Sequence, residues 1–585
     1  MAMLSFLERR ARAIAVVLVL IASARIVATY KVFNHTFDEP VHVACGMEWL
    51  DKGKYTYEPQ HPPLARVAGA LGPFLMGIRS PGLASRDPFA RAVEGIDILY
   101  SGHHYDRTLA LARLGVLPFF WIACAVVYLW GVRYFSKALA AIAVFFFSFE
   151  PTVLAHAGLA TTDMALTALL GASFLTGLIW VERPTKAHAA WFGAATGLAV
   201  LSKLSTLAFF PAAVVVTLAW YWAIGQSLTG KAIRKRIPTF ALAIGIGALT
   251  IWAGYRFSFG HVDFAGTSLP APELYAGIQA VMTHESVGHW SYLLGQRSPL
   301  GFWYFYPVAL AVKTPLAFLA LLAWGVVLAF RRDPQRRILS IPLAFSAAVL
   351  QVGMLGHINI GIRHILPVYI GFSILAAAAL VKLIETATGS AGGLDAGNRA
   401  VGKTAGAKKK PVGFLVAVLL IWLAGSSLLS HPDYIAYFNE LAGSEPEKIL
   451  VDSDLDWGQD IKRLSRRLHE LGAAEVTFPQ FIVADLEKEH GFPKVNQTAD
   501  FHHPPQGYFA AGATFWKALR FGLSPDEDAN IWPDQVQPTE RIGRGMFLWR
   551  FEGRAGAFAC QHSGISLAGE SACPTTGATL RSKFF

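Results

Sequence analysis

Two carboxylates stand side by side at Asp38 and Glu39, in the run Thr36-Phe37-Asp38-Glu39-Pro40-Val41-His42 that follows an apolar stretch. Adjacent acids at a membrane interface are expensive unless solvated, paired or used. They are either decoration of an acidic outer loop or part of a reaction site. Such a pair permits a divalent metal without requiring one. A third acid, Asp163, comes after Glu150-Pro151, His156 and Thr161-Thr162, at the start of another apolar stretch. There a carboxylate can simply favour the helix dipole, or it can line one cavity with Asp38. Between these acids lies Tyr55-Thr56-Tyr57-Glu58-Pro59-Gln60-His61-Pro62-Pro63-Leu64. Pro62-Pro63 before an apolar run predicts a helix start, with His61 near its N-terminus.

Cations on the same side matter equally. Lys203, Arg256, Arg297, Lys313, Arg363 and His364 all map to the outer face, against the usual bias of basic residues to the inside. Snorkelling toward lipid headgroups explains such residues in general. Neutralising the phosphate of a bound lipid carrier is the sharper alternative, since a departing phosphate gains charge in the transition state. Lys203 and Arg363 suit that role better, because they sit in otherwise apolar or tightly turned sequence. Asp452-Ser453-Asp454-Leu455-Asp456 imitates a calcium loop, but Trp457 stands where the turn glycine belongs and Arg463 where the closing Glu belongs. No tight ligand set surrounds His103-His104 or the His284 and His289 pair.

The elements that must position these residues are membrane spans. Of the 585 residues 54% are hydrophobic and 16% charged, against about 25% charged in soluble domains. Apolar runs of roughly 20 residues, the length needed to cross a bilayer, recur at 13–30, 110–132, 138–156, 163–181, 188–205, 206–225, 238–257, 302–330, 338–356, 365–383 and 412–430. The expectation is an all-α polytopic membrane protein of about 11 transmembrane helices. The net charge of +11 does not point to nucleic acid, because its basic clusters fall in every second loop. They are Arg9, Arg10 and Arg12; Arg133 and Lys137; Arg183 and Lys186; Lys231, Arg234, Lys235 and Arg236; Arg331, Arg332, Arg336 and Arg337; and Lys403 with Lys408, Lys409 and Lys410. Basic loops stay cytoplasmic, so the pattern predicts a cytoplasmic N-terminus and an extracytoplasmic C-terminus. The first stretch also has features of a cleavable signal peptide, and cleavage would leave the later topology unchanged.

Three outer pieces are large enough to carry chemistry: 31–108, 258–301 and 431–585. The membrane part covers 1–430, and within it the Gly/Ala-rich 386–410 reads as a flexible cytoplasmic linker. The tail reads as a small extracytoplasmic α/β domain. Ile449-Leu450-Val451 suggests a buried strand, and Asp456 with Gln459 a capping box. Ile461, Leu464, Leu468 and Leu471 recur at helical spacing, and runs near 475–484, 507–511 and 545–551 suggest strands. Cys560 and Cys573 could pair in an oxidising compartment.

Together these pieces resemble the polyprenyl-phosphate-dependent glycosyltransferases of family 39, which include protein O-mannosyltransferases and bacterial aminoarabinose transferases. The matching stretches are FDEPVHVACGMEWLDKGKYTYEPQHPPLARV, EPTVLAHAGLATTDMALTALLG, SYLLGQRSPLGFWYFYPVALAVKTP, NIGIRHILPVY and DYIAYFNELAGS…ILVDSDLDWGQDIKRL. The acidic pair followed by His-Pro-Pro-Leu is the most specific of them. The chain lacks the inserted repeat domain of the eukaryotic O-mannosyltransferases, and its tail resembles only some bacterial members.

The resemblance implies a GT-C membrane fold with its active site on the outer face of a bacterial inner membrane. It implies Asp38 as the principal catalytic residue, Glu39 as its neighbour and Asp163 as the second acid of the site. Lys203 and Arg363, with His364 beside it, would bind substrate phosphate, and His61 would shape the first outer loop. The expected reaction is inverting transfer of a sugar from a polyprenyl-phosphate carrier to the hydroxyl of a glycan, lipid or protein acceptor, with Asp38 as general base. No cofactor is implied beyond the permitted divalent metal. A transporter or flippase of lipid-linked sugars is the competing class; it would need no base, and usually shows internal repeats.

Overall fold

The structure, a computed structural model, describes residues 2–83, 88–223, 230–330, 337–388, 409–524, 528 and 530–551. Every apolar stretch expected to span forms helix. Helix α1 (Ala2–Thr29) leads to a layer of three short helices, α2 (Glu39–Met47), α3 (Pro63–Leu75) and α4 (Pro88–Tyr100). Long α5 (Tyr105–Tyr134) is followed by α6 (Lys137–Ser148), α7 (Pro151–Ala157), α8 (Asp163–Glu182), α9 (Lys186–Ser202), α10 (Thr206–Ala223) and α11 (Gly230–Gly254). The second outer piece holds the hairpin β1 (Phe259–Val262) and β2 (Thr267–Pro270), α12 (Pro272–Val287), and the hairpin β3 (Ser291–Leu293) and β4 (Gln296–Ser298). Then come α13 (Phe305–Lys313), α14 (Leu316–Ala329), α15 (Ser340–Leu355), α16 (Val368–Thr388) and α17 (Lys409–Leu429).

Among the described residues seven helices are long and apolar enough to cross a membrane, and eight if the bent pair α6 and α7 counts as one span. The chain is an integral membrane protein. Two stretches read as single spans are broken. The 138–156 stretch bends by 69° between α6 and α7, where Pro151 opens the new helix. The 302–330 stretch divides at Thr314-Pro315. In both cases proline lacks the N–H a continuous helix needs and disfavours helical backbone in the residue before it. The first three residues of the 386–410 linker continue α16; 389–408 lie outside the described residues, as do Arg331, Arg332, Arg336, Cys560 and Cys573.

Polar contacts gather the basic clusters beside α1, α5, α6, α8 and α11 at one end of the bundle. Glu8 accepts the Ala138 N–H at 2.7 Å, Arg133 pairs with Glu182, and Arg236 donates to the Val181 carbonyl at 2.6 Å. The turns carrying Asp38, Asp163, Lys203 and Arg363 close the opposite ends of those helices.

The tail sits on that second end. Its five-stranded sheet has the order β6-β5-β7-β9-β8, from β5 (Glu475–Thr477), β6 (Lys494–Asn496), β7 (Gly507–Gly512), β8 (Glu540–Ile542) and β9 (Met546–Phe551). β5 runs parallel to β6 and β7, while β9 is antiparallel to β7 and β8. Helix α18 (Ile461–Glu470) buries Ile461, Leu464 and Leu468 in one cluster with Val476 and Leu548, as its 3.6-residue spacing predicts. Two expectations fail. Leu450 and Val451 are buried, but 449–451 joins no sheet. No capping box forms either, because Gln459 Oε1 accepts the Trp457 N–H and Asp456 Oδ1 the Gly458 N–H, ahead of the helix. The first amide of α18, that of Ile461, is capped at 2.8 Å by Asn34 Oδ1 from the far end of the chain.

Candidate active site

The acidic pair separates at once. Asp38 is the N-cap of α2, and Pro40 sits in the first turn, where a missing N–H costs nothing. Successive side chains at a helix start point about 100° apart, so the two carboxylates face different surroundings. Glu39 is fully buried. Arg113 of α5 holds it with two hydrogen bonds of 2.8 Å, Nε to Oε1 and Nη2 to Oε2. The Ala160 and Thr36 amides donate at 2.9 and 2.8 Å. Burial alone would raise the Glu39 carboxyl, but the Arg113 guanidinium outweighs it and holds the group below the usual carboxylate range. Glu39 therefore fastens the turn rather than facing Asp38's surroundings.

Asp38 instead turns toward three charges from distant helices. Arg363 Nη1 lies 3.0 Å from Asp38 Oδ2 and 3.5 Å from Asp163 Oδ2. Lys203 Nζ, from the turn that ends α9, lies 2.7 Å from Asp163 Oδ1. The four formal charges cancel, and three of the four groups are buried. Asp38 keeps 26% of its side chain exposed, against 0% for Asp163, so of the two acids it is the one open to solvent. Burial opposes the Arg363 charge, but Asp38 and Asp163 more than restore it, leaving the guanidinium pKa raised.

Imidazoles line the cluster. Burial lowers the His364 pKa well below its ordinary value, and the nearby Lys203 and Arg363 charges lower it further. His42 and His61 are depressed by burial and then by Arg66. Their rings meet edge to face with centroids 5.4 Å apart. All three are neutral near pH 7. His364 Nε2 and His61 Nδ1 are buried with no hydrogen-bond partner among the described residues. Arg66 of α3 fixes the first outer loop, donating to His42 Nδ1 at 2.9 Å and pairing with Glu58. The His61 carbonyl accepts from the Tyr55 hydroxyl at 2.5 Å.

The tail supplies the remaining wall. Arg363 Nε donates to Ser453 Oγ at 3.1 Å, and its guanidinium lies 4.2 Å from the Trp457 ring centroid. The Phe37 N–H donates to the Trp457 carbonyl at 3.1 Å, which ties the acidic turn to the same segment. Half-buried Asp452 lies nearby, its carboxyl pushed up to about 7 by burial, partly offset by Arg363. The sequence pattern over 452–459 suggests a rejected calcium loop and a capping box, and nothing in it marks Ser453 or Trp457 as neighbours of Arg363. Arg113 was overlooked too, although a lone Arg inside an apolar span is itself a signal.

The other outer cations stand elsewhere. Lys313 is buried, donating to the Ile435 and Asp454 carbonyls at 2.6 and 2.5 Å. Arg256 lies over Trp49, and Arg297 pairs with Asp528. Among the described residues no group of three or more His, Cys, Asp or Glu could hold a metal ion. The Asp38 and Asp163 carboxylates already carry an ammonium and a guanidinium, so this donor set does not fit a divalent cation. His284 and His289 have rings 5.6 Å apart, but His284 Nδ1 is engaged by Gln60 and His289 Nδ1 by the Trp290 carbonyl.

No family model and no curated protein matches the chain. Among solved structures it is similar to ArnT from Cupriavidus metallidurans bound to undecaprenyl phosphate, at 15% identity and a TM-score of 0.48, covering 91% of this chain and 97% of that one. It is also similar to the oligosaccharyltransferase AglB from Archaeoglobus fulgidus in complex with an inhibitory peptide and a dolichol-phosphate, at 12% identity and a TM-score of 0.47, covering 88% of this chain and 71% of that one.

Proposed function

We propose that this chain is a GT-C glycosyltransferase that moves a sugar from a polyprenyl phosphate to an acceptor hydroxyl on the extracytoplasmic face of the membrane. The observation that carries the reading is the four-charge cluster of Asp38, Asp163, Lys203 and Arg363, closed on all sides except at Asp38. The order of chemistry is simple. The acceptor oxygen attacks the anomeric carbon from the face opposite the phosphate, and its proton passes to Asp38. The bond from that carbon to the phosphate oxygen breaks, and its electron pair leaves with the polyprenyl phosphate. One direct displacement inverts the anomeric centre. A general base of this kind contributes about 10²- to 10⁴-fold. Lys203 and Arg363 meet the charge that grows on the leaving phosphate. Asp163 orients both cations without leaving its buried position.

The N-terminus is assigned to the cytoplasm and the tail to the outside, on the strength of the basic clusters gathered at the other end of the bundle. The test is a panel of radiolabelled polyprenyl-phosphate sugars incubated with the purified protein and a membrane extract, beside Asp38→Asn. Label leaving the carrier for a new product with the parent alone is the expected result. Equal consumption by both proteins would remove Asp38 as base. Binding without consumption of any donor would favour transport of the lipid-linked sugar.

A further inference from the structure

We infer that Ser453 and Trp457, both in the tail, are positioning residues that hold Arg363 where it meets the carrier phosphate, making the tail part of the phosphate site. This rests on the role proposed for Arg363. Two contacts hold the guanidinium in addition to those it makes with Asp38 and Asp163. Ser453 Oγ accepts from Nε at 3.1 Å, leaving Nη1 directed at Asp38. The Trp457 ring lies against the guanidinium face at 4.2 Å. An Arg so held presents a pre-oriented planar donor set, which is what phosphate recognition rewards.

The clasp is built from both sides. Ser453 Oγ donates to the Ile360 carbonyl at 2.6 Å, and Asp454 Oδ1 accepts the Ile362 N–H at 3.1 Å. Gly361 makes the approach possible: a Cβ there would stand 2.0 Å from Ser453 Oγ, and its φ of +150 is one that side chains rarely adopt. On the tail side Asp452 holds φ +56, a left-handed conformation that costs energy for a residue with a side chain. Its N–H donates to Thr514 Oγ1 at 2.7 Å. The Trp457 indole is itself buried. A tail that served only to recognise the acceptor would not need this interlock with the turn before α16.

The test measures binding of farnesyl phosphate to the full-length protein in detergent. Arg363→Ala should weaken it. Ser453→Ala and Trp457→Leu should each weaken it about 10-fold, the scale of one hydrogen bond to a charged group or one desolvated cation–π contact. Trp457→Phe, which keeps a ring face, should stay within about 3-fold of the parent. Guanidinium ion added to Arg363→Ala should restore binding, and should fail to do so when Ser453→Ala or Trp457→Leu is also present. A purely structural role for the two residues would not move that rescue. If Trp457→Leu does not fold, the Ser453→Ala pair carries the same comparison. Parent-like binding by Ser453→Ala and Trp457→Leu, with Arg363→Ala impaired, overturns this inference and leaves the proposed function standing. Parent-like binding by Arg363→Ala removes its phosphate role as well.

Discussion

Asp163 and Lys203 are 40 residues apart in sequence and 2.7 Å apart in space, and both side chains are buried. Neither charge is tolerable there alone. Removing one partner of a buried pair costs about 3–5 kcal/mol because the other is left uncompensated. Arg363 softens the loss for Asp163, at 3.5 Å from its second oxygen, whereas among the described residues Lys203 has no second carboxylate within ion-pair distance. Asp163→Asn should therefore destabilise the protein more than Lys203→Met. The double variant should be more stable than the sum of the two losses predicts, as read by a double-mutant cycle of thermal unfolding in detergent. Additive losses would mean the pair is not coupled.

Glu39→Gln should lower thermal stability by roughly 3 kcal/mol while Glu39→Asp keeps part of it, since Arg113 would otherwise stay buried and unpaired. The sign with pH follows from the depressed Glu39 carboxyl. Its contribution is complete above the unfolded carboxylate's pKa of about 4.3 and is lost as pH falls through the lower folded value. Unfolding scans from pH 7 to 3 should lose this acid dependence in Glu39→Gln.

His35 joins the first outer loop to the tail, with Nδ1 2.7 Å from the Tyr105 hydroxyl and Nε2 3.0 Å from the Val483 carbonyl. Burial, aided by His490, brings its pKa down to about 3. Below about pH 6.5 the unfolded chain takes up a proton that the folded one refuses, so stability falls as pH falls. Between pH 7 and 5 this one group should cost about 2 kcal/mol. His35→Asn should flatten the dependence of melting temperature on pH across that range; an unchanged slope would contradict the assignment.

Gly95 of α4 lies against the acidic turn. A Cβ there would stand 2.0 Å from the Pro40 carbonyl oxygen. Gly95→Ala should push α2 away from α4, costing about 1–3 kcal/mol of overpacking. Because Asp38 occupies the N-cap position of that helix, sugar transfer should fall further than the change in stability accounts for. Parent-level turnover in Gly95→Ala, measured at a temperature where it stays folded, would show that the turn absorbs the shift.

Much of this was legible beforehand for physical reasons. Spans announce themselves through length and apolarity alone, and Asp38, Asp163, Lys203 and Arg363 were singled out as charges in places that charges avoid. What hydropathy averages over was not legible: the breaks before Pro151 and Pro315 lie inside runs that stay apolar on average, although Glu150 and Lys313 stand beside them. Nor could adjacency in sequence reveal that Asp38 and Glu39 point apart, which depends on where α2 begins. The Asp163–Lys203 pair, the Arg363 clasp and the Asn34 cap join distant segments, and no local pattern encodes them.

The Asn34 cap sets an order of events. Asn34 is made long before the amide it caps, that of Ile461, 427 positions later. The Phe37 amide waits equally long for the Trp457 carbonyl. Both partners are synthesised after the last described membrane helix, and contacts of such separation form late. The acidic turn thus stays unfinished throughout membrane insertion. A chain truncated before the tail would lack both of these ties to the turn that carries Asp38.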